Sequence, residues 1–253
     1  MKIIVCGKGG SGKSTVSVLL SRTLNKNGFN VLLIDADESN LGLHYLMGAE
    51  QPVVLLDDLG GKKGLKQKTA STFPGMPGGF TSDKLGINDI SARCITDANG
   101  VKLLKIGKIH SAGEGCACPM GRLSKMVFSG LELQKNDVAV VDTAAGVEHF
   151  GRGLDEACDL VLAVIDPSYE SFLLAEKISG MAEAAGLEYY LILNKIDTKT
   201  EAIMANHVDM TKVIGRIDYH EAVFLSGLEG KRLDENLPGA EKVVDIVHDF
   251  KKT

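Results

Sequence analysis

Gly7-Lys8-Gly9-Gly10-Ser11-Gly12-Lys13-Ser14-Thr15 follows the apolar run Lys2–Cys6 and opens a stretch with helical periodicity that reaches about Asn27. A β-branched run, a glycine loop and a helix in that order fit G-x-x-x-x-G-K-[ST] in its required setting. Glycines let the backbone curl so that successive N–H groups face phosphate oxygens, and the helix N-terminus adds its dipole. The Lys13 ammonium is expected to reach the β- and γ-phosphates of a nucleoside triphosphate, with the Ser14 hydroxyl a ligand to Mg²⁺. Thr15 is placed for a further phosphate contact.

Outward from the loop, short β-branched runs alternate with helical ones. Strands are expected at Val31–Ile34, Val101–Ile106, Val138–Val141, Leu160–Ile165, Tyr189–Leu193 and Val213–Ile217. Helices are expected at Ser14–Asn27, Arg122–Leu133, Ser171–Ala185 and Glu241–Lys251, with Gly28 closing the first of them. Within Ser171–Ala185 the apolar residues Phe172, Ala175, Ile178, Ala182 and Ala185 recur at three to four residues, giving one buried face. The alternation predicts an α/β fold, a mostly parallel sheet with helices on both faces. With no linker and no repeat, residues 1–253 read as a single domain. The stretch Leu59–Gly100 interrupts the rhythm with many glycines and the lysines of 62–68. A break of that length is functional or mobile, and the lysines read as a solvated loop.

Composition narrows the function classes. The chain has 253 residues, 44% hydrophobic and 24% charged, with a net charge of −5. That charge gives no overall basic field for nucleic acid. No apolar run reaches the roughly 18 to 20 residues of a membrane span. MKIIVC leads directly into the glycine loop, so no signal peptide is expected. Five cysteines in such a chain do not suggest a disulfide framework, and reducing cytoplasm is the expected compartment.

Two carboxylate sites follow the loop. Asp35 and Asp37 stand one residue apart at the end of the Val31–Ile34 run, at the sheet edge where α/β ligands bind. Asp142 ends the apolar run Val138–Val141, and Gly146 follows in Asp142-Thr-Ala-Ala-Gly146. Each acid alone can also be a cap or turn residue; the glycine loop makes them parts of one site. Asn194-Lys195-Ile196-Asp197 matches N-K-x-D, the guanine reader of GTPases, and taken alone predicts GTP. Cys116 and Cys118 in Gly-Cys-Ala-Cys-Pro suit a soft or borderline divalent metal, which favours four ligands where one chain offers two. A pair of reduced loop thiols, or a redox pair, is the alternative. Cys6, Cys94 and Cys158 read as structural.

The pattern K-G-G-x-G-K-[ST], with its extra lysine Lys8, resembles the deviant Walker A loop of the MinD/ParA/Mrp and nitrogenase iron-protein group. That likeness implies that Lys8 crosses a homodimer interface to the partner's nucleotide. It also implies that Asp37 orients or deprotonates the attacking water, that Asp35 supports the Mg²⁺ region and that Asp142 holds Mg²⁺ through water. In this group an asparagine in the place of Asn194 reads adenine, so ATP is the expected nucleotide. Together with Cys116-x-Cys118, Asp142-Thr-Ala-Ala-Gly-Val-Glu-His-Phe-Gly-Arg-Gly153 and the run Asp166–Ser171, the motifs resemble the CooC group of nickel-insertion ATPases. The likeness implies four thiolates from two subunits around one Ni²⁺, with Zn²⁺ also suited, and delivery to apo carbon monoxide dehydrogenase or a related nickel enzyme. A MinD/ParA-like spatial organiser and an Mrp-like iron–sulfur carrier are the competing readings. Against the first, the face Val243, Val244, Val247 and Phe250 comes with Glu241, Asp245 and Asp249, which suits docking on the sheet rather than a lipid surface.

Overall fold

The computed structural model describes residues 1–61, 64, 86–108, 118–151, 153–233 and 241–250. Its centre is an eight-stranded sheet in the order β3-β4-β2-β5-β1-β6-β7-β8. The strands are β1 Lys2–Gly7, β2 Asn30–Asp35, β3 Ile95–Ala98, β4 Val101–Lys105, β5 Asp137–Asp142, β6 Leu160–Ile165, β7 Glu188–Ile196 and β8 Val213–Asp218. All neighbours run parallel except β3, which pairs antiparallel with β4 at the edge. The helices of the described residues are α1 Lys13–Lys26, α2 Leu43–Met47, α3 Leu55–Asp58, α4 Cys118–Gly130 and α5 Glu148–Gly151, then α6 Tyr169–Ala184, α7 Thr198–Met204, α8 Glu221–Glu229 and α9 Glu241–Phe250.

Alternation along each central strand divides the interior into two cores. Ile4, Cys6, Leu32, Ile34, Ala139 and Val141 face one side, where Leu123, Val127 and Phe128 of α4 and Phe172, Ala175, Ile178 and Ala182 of α6 cover them. Ile3, Val5, Val31, Leu33, Val138 and Val140 face the other, under Val16, Leu20 and Leu24 of α1 and Val243, Val244 and Val247 of α9. Both faces of β1, β2 and β5 are therefore dry, which is why these strands read as unbroken apolar runs. Leu20 has no exposed surface, and truncating such a side chain to alanine costs about 2–5 kcal/mol. The α9 face is the one expected to dock on the sheet; Phe250 is left 44% exposed at its end.

The departures from the sequence-based elements are local. β3 is an added strand: Ile-Thr-Asp-Ala is too short and polar to read as one, and its partner β4 supplies the reason it forms. α4 begins at Cys118 and ends at Gly130 rather than running from Arg122 to Leu133; Pro119 is tolerated because it lies in the first turn, where its missing N–H has no helical partner. β7 continues past Leu193 to Ile196, with register shifts against β8 at that end. The extension carries Asn194 and Lys195 to the glycine loop. The four lysines of 62–68, and Cys116, lie outside the described residues.

Register places the acids side by side. Asp35 pairs with Asp142 across β2–β5, Val5 with Asp142 across β1–β5, and Asp35 with Lys105 across β2–β4. One strand-end line thus gathers the glycine loop, two aspartates and a lysine at the C-terminal edge of the sheet.

Candidate functional site

Gly7, Gly10 and Gly12 hold φ of 143°, 80° and 96°, a region that strains any L side chain. Two of them are also spatially obligatory. A Cβ on Gly7 would strike the Val164 carbonyl oxygen, and one on Gly12 would strike the Asn194 amide. The loop so formed is tied down from two directions. Asn194 Nδ2 donates to the Ser11 carbonyl at 2.8 Å, and Lys195 Nζ to the Gly10 carbonyl at 2.6 Å. Lys195 holds a left-handed φ of 60° at the irregular end of β7, a cost that this second tether offsets. Lys13 is buried, and its Nζ donates to the Lys8 carbonyl at 3.1 Å across the mouth of the loop. That is the reach a lysine needs to meet a phosphate cradled by the loop.

Behind the loop lies a compact oxygen cluster. Ser14 Oγ donates to Asp142 Oδ2 at 2.7 Å, and Ser17 Oγ to Asp142 Oδ1 at 3.2 Å. Asn40 Nδ2 donates both to Ser14 Oγ at 3.0 Å and to Asp142 Oδ2 at 3.1 Å, while its Oδ1 accepts from Gly42 N at 2.9 Å. Because a backbone N–H can only donate, this last bond fixes which end of the amide faces the cluster. Burial raises the Asp142 carboxyl to about 6, against the Ser14 hydrogen bond and the Lys13 charge. A buried acid beside a hydroxyl is what a Mg²⁺ site of this kind requires, and the Asn40 donor occupies the same two oxygens. Ser14 and Asp142 would hold the ion, which when bound neutralises phosphate charge.

Asp37 is partly exposed, and its Oδ1 accepts from Ser39 N at 2.9 Å and Ser39 Oγ at 2.6 Å. Asp35 is wholly buried and faces two buried lysines, Lys108 Nζ at 3.0 Å and Lys105 Nζ at 3.9 Å. Burial raises its carboxyl to about 7 despite Lys108. Gly146 N donates to the Gly7 carbonyl at 3.0 Å, so the segment after Asp142 touches the glycine loop directly.

The Lys8 ammonium pairs with Asp166 Oδ2 at 3.3 Å, just after the end of β6. Asp166 has its carboxyl lowered: burial works against this, and hydrogen bonds from Ser168 and Ser171 with the Lys8 charge outweigh it. A cleft of about 290 Å³ adjoins the loop, lined by Gly12, Thr15 and Asn194, by Ile217 of β8, by Tyr219 just after it and by Phe224 of α8. Its volume and its apolar side chains suit a nucleobase.

Asp197 does not line that cleft. Its Oδ1 accepts from Thr200 N at 2.7 Å and Thr200 Oγ1 at 2.9 Å, capping α7. The literal N-K-x-D match is thus divided between a loop tether and a helix cap. The described residues bring together Gly7 to Thr15, Asp35, Asp37, Asp142 and Asn194. Cys118 opens α4, and its partner Cys116 lies outside them. Cys6, Cys94 and Cys158 are free and buried, with burial raising Cys94 to about 11 and Cys158 to about 12.

Sequence reading gave no role to Asn40, Lys105, Lys108, Asp166 or Lys195. For Lys105 a signal existed: a lysine inside an apolar parallel strand needs a buried partner. Asn40 and Lys108 carried none, since their partners are set by non-local register.

The sequence matches the CobQ/CobB/MinD/ParA nucleotide binding domain family over residues 2–233. It is 41% identical to an uncharacterized ATP-binding protein of Methanocaldococcus jannaschii, across 98% of this chain and 99% of that one. It is 32% identical to the carbon monoxide dehydrogenase accessory protein CooC of Rhodospirillum rubrum, across 88% of this chain and 85% of that one. The fold superposes on the septum site-determining protein MinD of Pyrococcus horikoshii, solved with Mg-ADP, at a TM-score of 0.68 and 18% identity, covering 99% of this chain and 96% of that one. Among the described residues no helix is long and apolar enough to cross a membrane.

Proposed function

The chain belongs to the CobQ/CobB/MinD/ParA nucleotide-binding family and is a P-loop ATPase, and from that premise we propose that it is a nickel-handling ATPase of the CooC kind. Two copies pair around Mg-ATP, bind one Ni²⁺ (or Zn²⁺) between them, and assist its insertion into apo carbon monoxide dehydrogenase or a related nickel enzyme in the cytoplasm. The observation that carries the reading is Cys116-x-Cys118, in a chain 32% identical to CooC over most of its length. One chain supplies two thiolates, and a four-coordinate site needs two chains.

The residues divide the work as follows. The Gly7–Thr15 backbone and Lys13 take the phosphates, Ser14 and Asp142 the Mg²⁺, and Asn194 the adenine edge. Asp37 orients or deprotonates the attacking water, and Asp35 supports the Mg²⁺ region from the core. Lys8 leaves Asp166 to reach the partner's nucleotide. Residues 1–253 act as one domain. With a net charge of −5 and the apolar face of α9 packed on the sheet, neither nucleic acid nor membrane is a partner.

Anaerobic size-exclusion with light scattering and metal analysis tests the proposal on wild type and Cys118→Ser loaded with Ni²⁺. Wild type should elute as a dimer with one nickel per two chains, and Cys118→Ser should lose the metal while keeping ATP binding. One nickel per chain, or a metal-loaded Cys118→Ser dimer, would sink it. An iron-dependent visible absorption after reconstitution, with no nickel retained, would assign the thiols to a cluster carrier instead.

A further inference from the structure

Lys108 is buried to 3% side-chain exposure, beside a wholly buried acid. Taking this ion pair out of water is expensive, and an apolar pair of similar volume commonly does as well for stability. The second contact of the same ammonium is more informative. Lys108 Nζ donates to the backbone carbonyl of Asp37 at 2.5 Å. One cation therefore joins the last residue of β2 to the residue two places on, which is expected to act on water.

The surroundings make the tether stiff. Ile106 N donates to the Asp35 carbonyl at 3.1 Å, and Leu56 N to the Ile106 carbonyl at 2.9 Å, so the chain leading to Lys108 is held on both sides. Lys105 lies 3.9 Å from the same Asp35 oxygen, and its Nζ makes no hydrogen bond among the described residues. His44 of α2 feels both lysines: its imidazole pKa is lowered, by burial first and then by their charges. Lys105 thus adds to the charge balance around Asp35, and among the described residues it is Lys108 that bridges the two aspartates.

We infer that Lys108 is a positioning residue for hydrolysis: anchored by Asp35, its ammonium fixes the Asp37 carbonyl and with it the direction from which the Asp37 carboxylate meets water. The inference rests on the reading of Asp37 as the group that orients that water. Displacing a reacting group by about 1 Å can cost on the order of 100-fold in rate. Ground-state binding of ATP, made by the glycine loop and Asn194, does not pass through Lys108.

The test is a kinetic double-mutant cycle on the full chain with Mg-ATP, reading single-turnover hydrolysis and, separately, ATP affinity. Lys108→Met should lower the rate by about 30- to 100-fold and leave ATP affinity within about threefold. In an Asp37→Asn background the same change should add nothing, because the group it positions is already lost. Lys105→Met, which disturbs the same buried acid, should keep the rate within about threefold. If Lys108→Met folds poorly, Asp35→Asn/Lys108→Met compared with Asp35→Asn removes both charges together and should show the same slow step. Equal losses from Lys105→Met and Lys108→Met, a parallel fall in ATP affinity, or full additivity with Asp37→Asn would overturn the inference. Wild-type hydrolysis by Asp37→Asn alone would instead remove the premise.

Discussion

Replacing Asn40 with alanine should tighten Mg²⁺ binding, although the change removes a polar group from the site. In the structure the Asn40 amide nitrogen donates to the two oxygens that Mg²⁺ needs, Ser14 Oγ at 3.0 Å and Asp142 Oδ2 at 3.1 Å. Ion and amide compete, and the apparent affinity of the ion is reduced by the fraction of molecules in which the amide has withdrawn. A hydrogen bond to a carboxylate has a net value of about 1.5–3 kcal/mol and a neutral one about 0.5–1.5 kcal/mol. Asn40 is only partly buried, so a leaving amide recovers part of both from water. A net advantage of about 1–2 kcal/mol corresponds to about a 5- to 30-fold gain in apparent Mg²⁺ affinity.

The Ser14–Asp142 bond at 2.7 Å does not depend on Asn40 and remains as the core of the site. Asn40→Ala also loses the bond from Gly42 N to Oδ1 at 2.9 Å, which braces the turn before α2. A modest loss of thermal stability is therefore expected beside the gain. The assay is Mg²⁺ titration of a fluorescent ATP analogue bound to wild type and variant, with Mg-free analogue affinity as the reference. An unchanged midpoint refutes the competition. A weaker midpoint would show that Asn40 helps to hold the ion.

Asp142 and Asp35 are raised from 3.8 to about 6 and about 7, chiefly by burial. A raised carboxyl contributes stability at low pH that is lost as pH rises through 6 to 7, so these two groups weaken the free chain toward neutrality. Mg-ATP needs Asp142 ionised, and the rise in Tm it produces should grow between pH 5 and 7.5; a pH-independent rise would contradict this. Asp166→Asn removes the partner that holds Lys8 at 3.3 Å while leaving an oxygen for Ser168. For this half-buried pair, still in reach of water, the gain is about 0.5–1 kcal/mol, and ATP-dependent dimerisation followed by sedimentation should tighten about 2- to 5-fold. Looser pairing would place Asp166 in the interface itself. Asp197→Ala should lower Tm modestly through its lost cap and leave the preference for ATP over GTP in calorimetry unchanged. A change in base preference would restore the literal N-K-x-D reading.

The parts of the site legible in the sequence are those whose chemistry is local. Gly7, Gly10 and Gly12 announce a backbone that side chains cannot follow, and Lys13 and Ser14 stand where the helix begins. Asp35 and Asp142 are visible because each ends an apolar run, and parallel pairing of neighbouring runs then places them together. The nucleotide-reading segment shows where such reading stops. Four letters, Asn-Lys-Ile-Asp, have a meaning in another branch of nucleotide-binding proteins, but that meaning depends on where the strand ends. Here β7 continues to Ile196, so Asn194 and Lys195 turn onto the glycine loop and Asp197 is left to cap the next helix.

The residues that escape such reading share a different property: each acts through a partner far away in the chain. Lys105 meets Asp35 only because β4 lies beside β2, with those two residues in register. Strand order is not written locally; a parallel neighbour can be any other run of similar length and apolarity. The composition of β4 does constrain the choice. A lysine within Val-Lys-Leu-Leu-Lys cannot enter a dry sheet uncompensated, and among the central strands the ends of β2, β5, β6 and β7 offer acids, of which Asp166 already pairs with Lys8 and Asp197 caps α7. Asp142 already accepts from Ser14 and Ser17, which leaves Asp35. Taken as a demand for a buried carboxylate, Lys105 favours a place for β4 next to β2, where Asp35 stands in register with it. The same demand explains why an acid stands at position 35: between Lys105 and Lys108 an apolar residue would strand two ammonium groups in the core.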